Sequence, residues 1–141
     1  MTEVLVSLGE PLAVRHPLPL AVAYHDACHL ANGQGVRSQP RDVLRSIPEL
    51  TLLSAADGDV CCGSAGVYNL LQPGTAAELG DRKARALRAT GADVVAAGNP
   101  GCLLQIAAAL GRDGAGSAPA VMHTVELLDA SLTGSSLRDL G

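Results

Sequence analysis

The chain contains no phenylalanine and no tryptophan, and only two tyrosines. A core must therefore be built from Ala, Val, Leu and Ile, and stacking of nucleic-acid bases on aromatic side chains is disfavoured as a binding mode. Positive charge is also short. Ten Lys and Arg stand against fourteen Asp and Glu, a formal charge of −4, and the basic residues form no stripe. This balance argues against nucleic acid as a partner. No apolar run approaches the roughly 18 residues of a membrane span, and no basic segment followed by an apolar stretch opens the chain. Cys-x-x-Cys, G-x-G-x-x-G, Walker and Cys-x5-Arg patterns are missing, and no Ser-His-Asp arrangement stands out. What remains is a cytoplasmic protein, or a part of a larger complex that is peripheral to a membrane.

At 141 residues one domain can bury ~70% of its unfolded surface without help from disulfides. Four cysteines in a reducing compartment are then better read as ligands or reactive thiols than as a disulfide framework. They fall in three places: Cys28 within His25-Asp26-Ala27-Cys28-His29, the adjacent pair Cys61-Cys62-Gly63, and Cys102 closing Asn99-Pro100-Gly101-Cys102. Thirty-two residues separate Cys28 from Cys61 and thirty-nine separate Cys62 from Cys102. No pair lies in a local chelating loop, so only the fold can gather them. The vicinal Cys61 and Cys62 would also make a strained disulfide with each other.

Residues 1–19, with Pro11, Pro17 and Pro19, show no sustained period and read as a connector. The domain spans residues 20–133, and a Gly- and Ser-containing tail occupies 134–141. Leu20-Ala21-Val22-Ala23-Tyr24 is a short apolar run that stops at a Cys-bearing loop, as a buried strand does. A helix over Gln39–Ile47 ends at Pro48. Leu50–Leu53 is a second strand and Ser64–Leu71 a short helix. Thr75-Ala76-Ala77-Glu78 has the form of a capping box, predicting a helix from there to Thr90, with Glu78–Arg82 and Asp81–Arg85 pairs outside and Leu79, Ala86 and Leu87 inside. Gly91 stops it. Asp93–Ala97 is a third strand. Asn99 and Pro100 suit N-cap and first turn of the next helix. Ala120–His123 is a fourth strand, and Thr124 caps a last helix to Leu132.

Strands alternating with helices predict an α/β fold, a single domain with a roughly four-stranded parallel sheet and helices on both faces. Ligands of such sheets gather at the carboxyl ends of the strands, and all four cysteines follow strand ends. Packing alone gives no reason for that placement. Four convergent thiolates suit an iron–sulfur cluster or tetrahedral zinc. His25 and His29 flank Cys28 and are candidate ligands or donors to the site; a backbone-satisfied structural role is the alternative for each. His123 reads as structural, with ligation the weaker alternative, and His16 lies in the connector. Asp26 suits a loop-amide acceptor, with orientation of a neighbouring histidine as the alternative. Tyr68 suits core packing, with a pocket for a quinone or partner cofactor, shared with Asn69, as the alternative.

Tyr24-His25-Asp26-Ala27-Cys28-His29-Leu30, Cys61-Cys62-Gly63-Ser64-Ala65-Gly66-Val67-Tyr68-Asn69, and Thr90–Val95 running into Gly98-Asn99-Pro100-Gly101-Cys102-Leu103-Leu104-Gln105 occur in this order over about residues 12–133. Together they resemble the cysteine-rich CCG domain of heterodisulfide reductase B-type subunits, lactate-utilisation proteins and, most closely, the iron–sulfur subunit of glycolate oxidase. The fuller CCG pattern ends in Cys-x-x-Cys, and Asn99 stands at its first cysteine. The resemblance implies a [4Fe–4S] cluster on Cys28, Cys61, Cys62 and Cys102, zinc being the alternative, rather than a five-thiolate non-cubane cluster. It also implies an electron-transfer domain whose partners are flavin-containing glycolate oxidase subunits and the ferredoxin-like part of the iron–sulfur subunit. On that reading the chain is a C-terminal fragment of such a subunit and does not oxidise glycolate by itself. The rival expectation is a docking domain, holding zinc or nothing, that scaffolds the oxidase. A thiol-redox module using Cys61 and Cys62 ranks last, because that pair lacks Cys-x-x-Cys geometry.

Overall fold

A computed structural model describes residues 14–58, 60–64, 68–114 and 116–136. Most of the expected connector, the end of the tail and residues 65–67 of the expected Ser64–Leu71 helix lie outside these residues, as does the Tyr68 side chain. Among the described residues, β1 (Ala21–His25), β2 (Thr51–Leu53), β3 (Val94–Ala97) and β4 (Ala120–His123) form one sheet in the order β2-β1-β3-β4, every pair parallel. The connecting helices are α1 (Gln39–Arg45), α2 (Tyr68–Leu71), α3 (Pro73–Arg88), α4 (Pro100–Asp113) and α5 (Thr124–Thr133), and a π-helical turn covers His29–Gly33. The α/β architecture with helices on both faces is as expected.

Alternation along the central strands sorts the core. Ala23, Val95 and Ala97 pack with Ala84 and Leu87 of α3 and with Ile106, Ala109 and Leu110 of α4. Val22, Tyr24, Val94 and Ala96 pack on the other face with Leu44, Ile47, Leu127 and Ala130. Aliphatic and alanine side chains thus fill both layers, as a chain without Phe or Trp requires. Small residues let α3 and α4 approach closely. A Cβ on Gly80 would lie 3.4 Å from that of Ala109, and Gln105 of α4 donates to the Ala76 carbonyl of α3 at 3.0 Å.

Several local expectations shift. Helix α3 starts at Pro73, not Thr75; proline's fixed φ and missing N–H suit the first turn. Its buried stripe is Ala76, Gly80, Lys83, Ala84 and Leu87, which places a lysine inside. Arg82 and Asp81 bond across the fold, to Asp57 at 2.8 Å and to Arg112 at 2.7 Å. The last helix is capped by His123 rather than Thr124: His123 Nδ1 accepts from the Val125 amide at 3.2 Å, and the His123 amide donates to the Glu126 carboxylate. Residues 14–19 are docked as well. The His16 amide donates to the Ser131 carbonyl, the Leu18 amide donates to the Pro48 carbonyl, and Leu18 is buried.

Candidate metal centre

The sheet order determines what can meet. β1 and β3 are neighbours, with His25 opposite Ala97 in the register, so the loop after β1 and the Gly98–Cys102 connection leave the sheet side by side. His25 is the last residue of β1, on the Ala23 face that carries α3 and α4. Cys102 lies in the first turn of α4, whose N-cap Asn99 accepts the Cys102 amide at 3.2 Å with Pro100 at the first helical position. Cys61 and Cys62 come in on the loop that follows β2, the strand beside β1.

Two thiol groupings result. Cys28 Sγ and Cys61 Sγ lie 3.7 Å apart, both half-buried. Cys62, Cys102 and His25 are buried, and one donor atom from each lies within 4.8 Å of the others. All four cysteines are free thiols. The two groupings feel each other's charge, since ionising Cys28 or Cys61 disfavours ionising Cys102.

Hydrogen bonding and burial divide the thiols. The Cys102 thiol facing Cys62 draws the Cys62 pKa down to about 4 against the opposing effect of burial, helped by His25 and by the Ser64 amide. Cys102, the proton-holding member of that pair, is correspondingly pushed up. Burial raises Cys61, although the Gly63 amide donates to its sulfur at 3.4 Å. Neither ring nitrogen of His25 makes an aligned hydrogen bond among the described residues, and the residue is 3% exposed. A buried imidazole normally satisfies at least one nitrogen. Here it faces the Cys62 and Cys102 thiols.

The loop bearing the Cys pair is held by backbone contact. Gly63 has φ +87° and lies so close to α3 that a Cβ there would stand 2.5 Å from the Ala76 carbonyl oxygen. Gly101 is equally confined, since its Cβ would meet Ser64 Oγ at 2.8 Å. Beyond Cys28 opens a cleft of about 260 Å³ lined by Asp26, Ala31, Asn32, Arg37 and Gly58.

Other candidates lie elsewhere. His29 is exposed, next to Gly33. Asp26 accepts a two-pronged bond from Arg41 at 2.5 and 2.6 Å instead of loop amides, and that guanidinium lies 5.0 Å from the centre of the Tyr24 ring. His123 serves as a helix cap, and the exposed His16 is tied through its backbone. Sequence reasoning missed Lys83, whose ammonium donates to the Asp57 carbonyl within the loop leading to Cys61. Its position in the i, i+3, i+4, i+7 row that starts at Ala76 was the available signal.

The model of the CCG cysteine-rich domain matches residues 22–107, more than half of the chain, and the chain belongs to that family. It is 36% identical over 110 residues to the probable glycolate oxidase iron-sulfur subunit of Bacillus subtilis, covering 78% of this chain and 25% of that protein. It is 41% identical over 113 residues to one of the subunits of the fumarate reductase (CoM/CoB) of Methanothermobacter marburgensis, covering 80% and 23%. Lactate utilization protein A of an Exiguobacterium strain is 27% identical over 129 residues, covering 92% and 52%. The chain thus spans about a quarter of the first two relatives and about half of the third. Among the described residues no helix is long and apolar enough to cross a membrane.

Proposed function

We propose that Cys28, Cys61, Cys62 and Cys102 hold a [4Fe–4S] cluster, and that the chain is the electron-transfer domain of a glycolate (2-hydroxy acid) oxidase iron–sulfur subunit. The observation that supports the reading is a pair of neighbouring thiol groupings, Cys28 with Cys61 and Cys62 with Cys102 and the buried His25, on loops that follow strand ends. The cluster, when bound, takes up and returns single electrons. The chain's own residues do the rest. Cys62 enters as a thiolate, the Gly63 amide donates to the Cys61 sulfur, and the Asn99 cap holds Cys102 in place. Such hydrogen bonds tune a metal centre.

His25 is assigned a hydrogen-bonding place beside Cys62 and Cys102, outside the four thiolate ligands, and His29 is left outside the site. The chain's partners are then the flavin-containing subunits and the ferredoxin-like part of the same oxidase, at the cytoplasmic face of the membrane. Zinc in a docking domain is the second reading, favoured by one observation: His25, Cys62 and Cys102 supply the mixed N/S donors that tetrahedral zinc takes.

Two variants and one spectroscopic measurement test the assignment in anaerobically prepared protein. Cys102→Ser is expected to lose most of the visible chromophore and His16→Ala to keep it. An unchanged chromophore in Cys102→Ser refutes the four-thiolate assignment. For His25, pulsed EPR of the reduced protein is expected to show a nitrogen coupling that changes on 15N-histidine labelling and vanishes in His25→Ala. A cluster signal without that coupling removes His25 from the cluster's hydrogen-bonding surroundings.

A further inference from the structure

Lys83 heads the largest fully buried side chains of the described residues, with 1% of its surface exposed. An ammonium taken out of water without an anion costs several kcal/mol, so a buried lysine calls for an identifiable counter-charge. No carboxylate among the described residues forms an ion pair with it. The Asp57 carboxylate is occupied by Arg82, at 2.8 and 3.3 Å, and Lys83 Nζ reaches only the neutral Asp57 carbonyl.

The geometry directs this charge toward the thiols. Lys83 lies two turns after Ala76 on the buried face of α3, and helical side chains lean toward the helix N-terminus. The aliphatic stem therefore runs back toward the end of α3 where Ala76 meets Gly63. Its hydrogen-bond acceptor, Asp57, lies four residues before Cys61. Electrostatics agrees: burial depresses the lysine's pKa, and Asp57, Cys62, Cys61 and Asp26, in that order, are the anions that hold it up. Two of those four are the vicinal thiols.

We propose that Lys83 is the buried counter-cation of the metal centre, a positioning residue that offsets the negative charge of the thiolate set and thereby raises its reduction potential. The proposal rests on the cluster reading above and concerns a residue outside the ligand set. Reduction adds negative charge, so a fixed cation nearby favours the reduced state.

The test compares Lys83→Met and Lys83→Gln with the wild type in the anaerobically reconstituted full chain, by iron and sulfide content and by mediated redox titration. Methionine keeps the stem and removes charge and donor together. Glutamine removes the charge and retains a donor toward the Asp57 carbonyl. Both variants are expected to fold, to hold cluster, and to titrate at a more negative midpoint potential than wild type. An unchanged potential in both overturns the proposal, and so does a change confined to Lys83→Met, which marks a pin for the Asp57 loop rather than a counter-charge. If wild type takes zinc without sulfide, the cluster reading fails, and the variants are compared by chelator competition for zinc. Weaker zinc binding in both then sustains the counter-cation, and equal binding overturns it.

Discussion

Replacing Gly63 by alanine adds a single methyl group where the backbone of α3 already stands. At φ +87° the new Cβ would lie 2.5 Å from the Ala76 carbonyl oxygen and 3.2 Å from its carbonyl carbon and Cα. Left-handed backbone costs a residue with a Cβ roughly 1–2 kcal/mol, and overpacking against atoms that cannot rotate away costs typically ~1–3 kcal/mol. Together these make a destabilisation of roughly 2–5 kcal/mol, a loss on the order of 10 °C in melting temperature for a domain of this size. The alternative to bearing that cost is to move the loop, which carries Cys61 and Cys62 with it. Thermal denaturation of the metal-free protein reads the first effect, and iron content after reconstitution reads the second. Gly74→Ala is the matched control, because nothing lies within 4 Å of a Cβ there and alanine is the better helix former; it should be neutral or stabilising. A Gly63→Ala protein that melts with the wild type and binds as much iron would refute the close-contact account of this loop.

Asn99→Ala should lower stability by ~1 kcal/mol, as loss of an N-cap does, and leave metal stoichiometry unchanged; loss of metal with the fold retained would make Asn99 part of the metal site. Asn99→Cys places a fifth sulfur one helical turn before Cys102 and is expected to change the EPR signature of the bound cluster. The isolated chain should show no glycolate-dependent dye reduction, and such activity in the pure protein would refute its reading as an electron-transfer domain only. Cys62 sets a pH dependence for the metal-free protein. Its pKa is depressed to about 4 in the fold against roughly 8.5 unfolded, so its contribution is fully present above the unfolded value and lost as pH falls through the folded one. Stability to urea should therefore rise between about pH 4 and 8.5, and Cys62→Ser should flatten that rise; equal slopes would remove Cys62 as the cause.

Much of this site is legible in the chain because its signals are local. Short apolar runs end just before each cysteine loop, and Asn99-Pro100 marks a helix start whatever surrounds it. Topology puts the four thiols on one edge, and it needs only the alternation of strands and helices. Their division into two groupings is not legible, since it depends on the path each loop takes beyond its strand end. His25 is within reach: it is two residues from Ala23 on the same strand face, and that alternation sets it apart from His29, which lies beyond the strand. Lys83 escapes a reading in which charge faces water, and the i, i+4 pairs drawn on that premise give way to Arg82–Asp57 and Asp81–Arg112. The Thr75 and Thr124 caps fail for a simpler reason. Pro73 and His123, each just upstream, supply the better first-turn and capping geometry.

A cluster on these four thiols is tested most directly by iron and acid-labile sulfide analysis of the anaerobically purified wild-type chain, read beside its visible spectrum. Iron and sulfide in equal amounts, near four of each per chain as a [4Fe–4S] cluster requires, with a broad visible absorption, is the expected result. Stoichiometric zinc without sulfide, or a colourless protein that takes up neither metal, would contradict it.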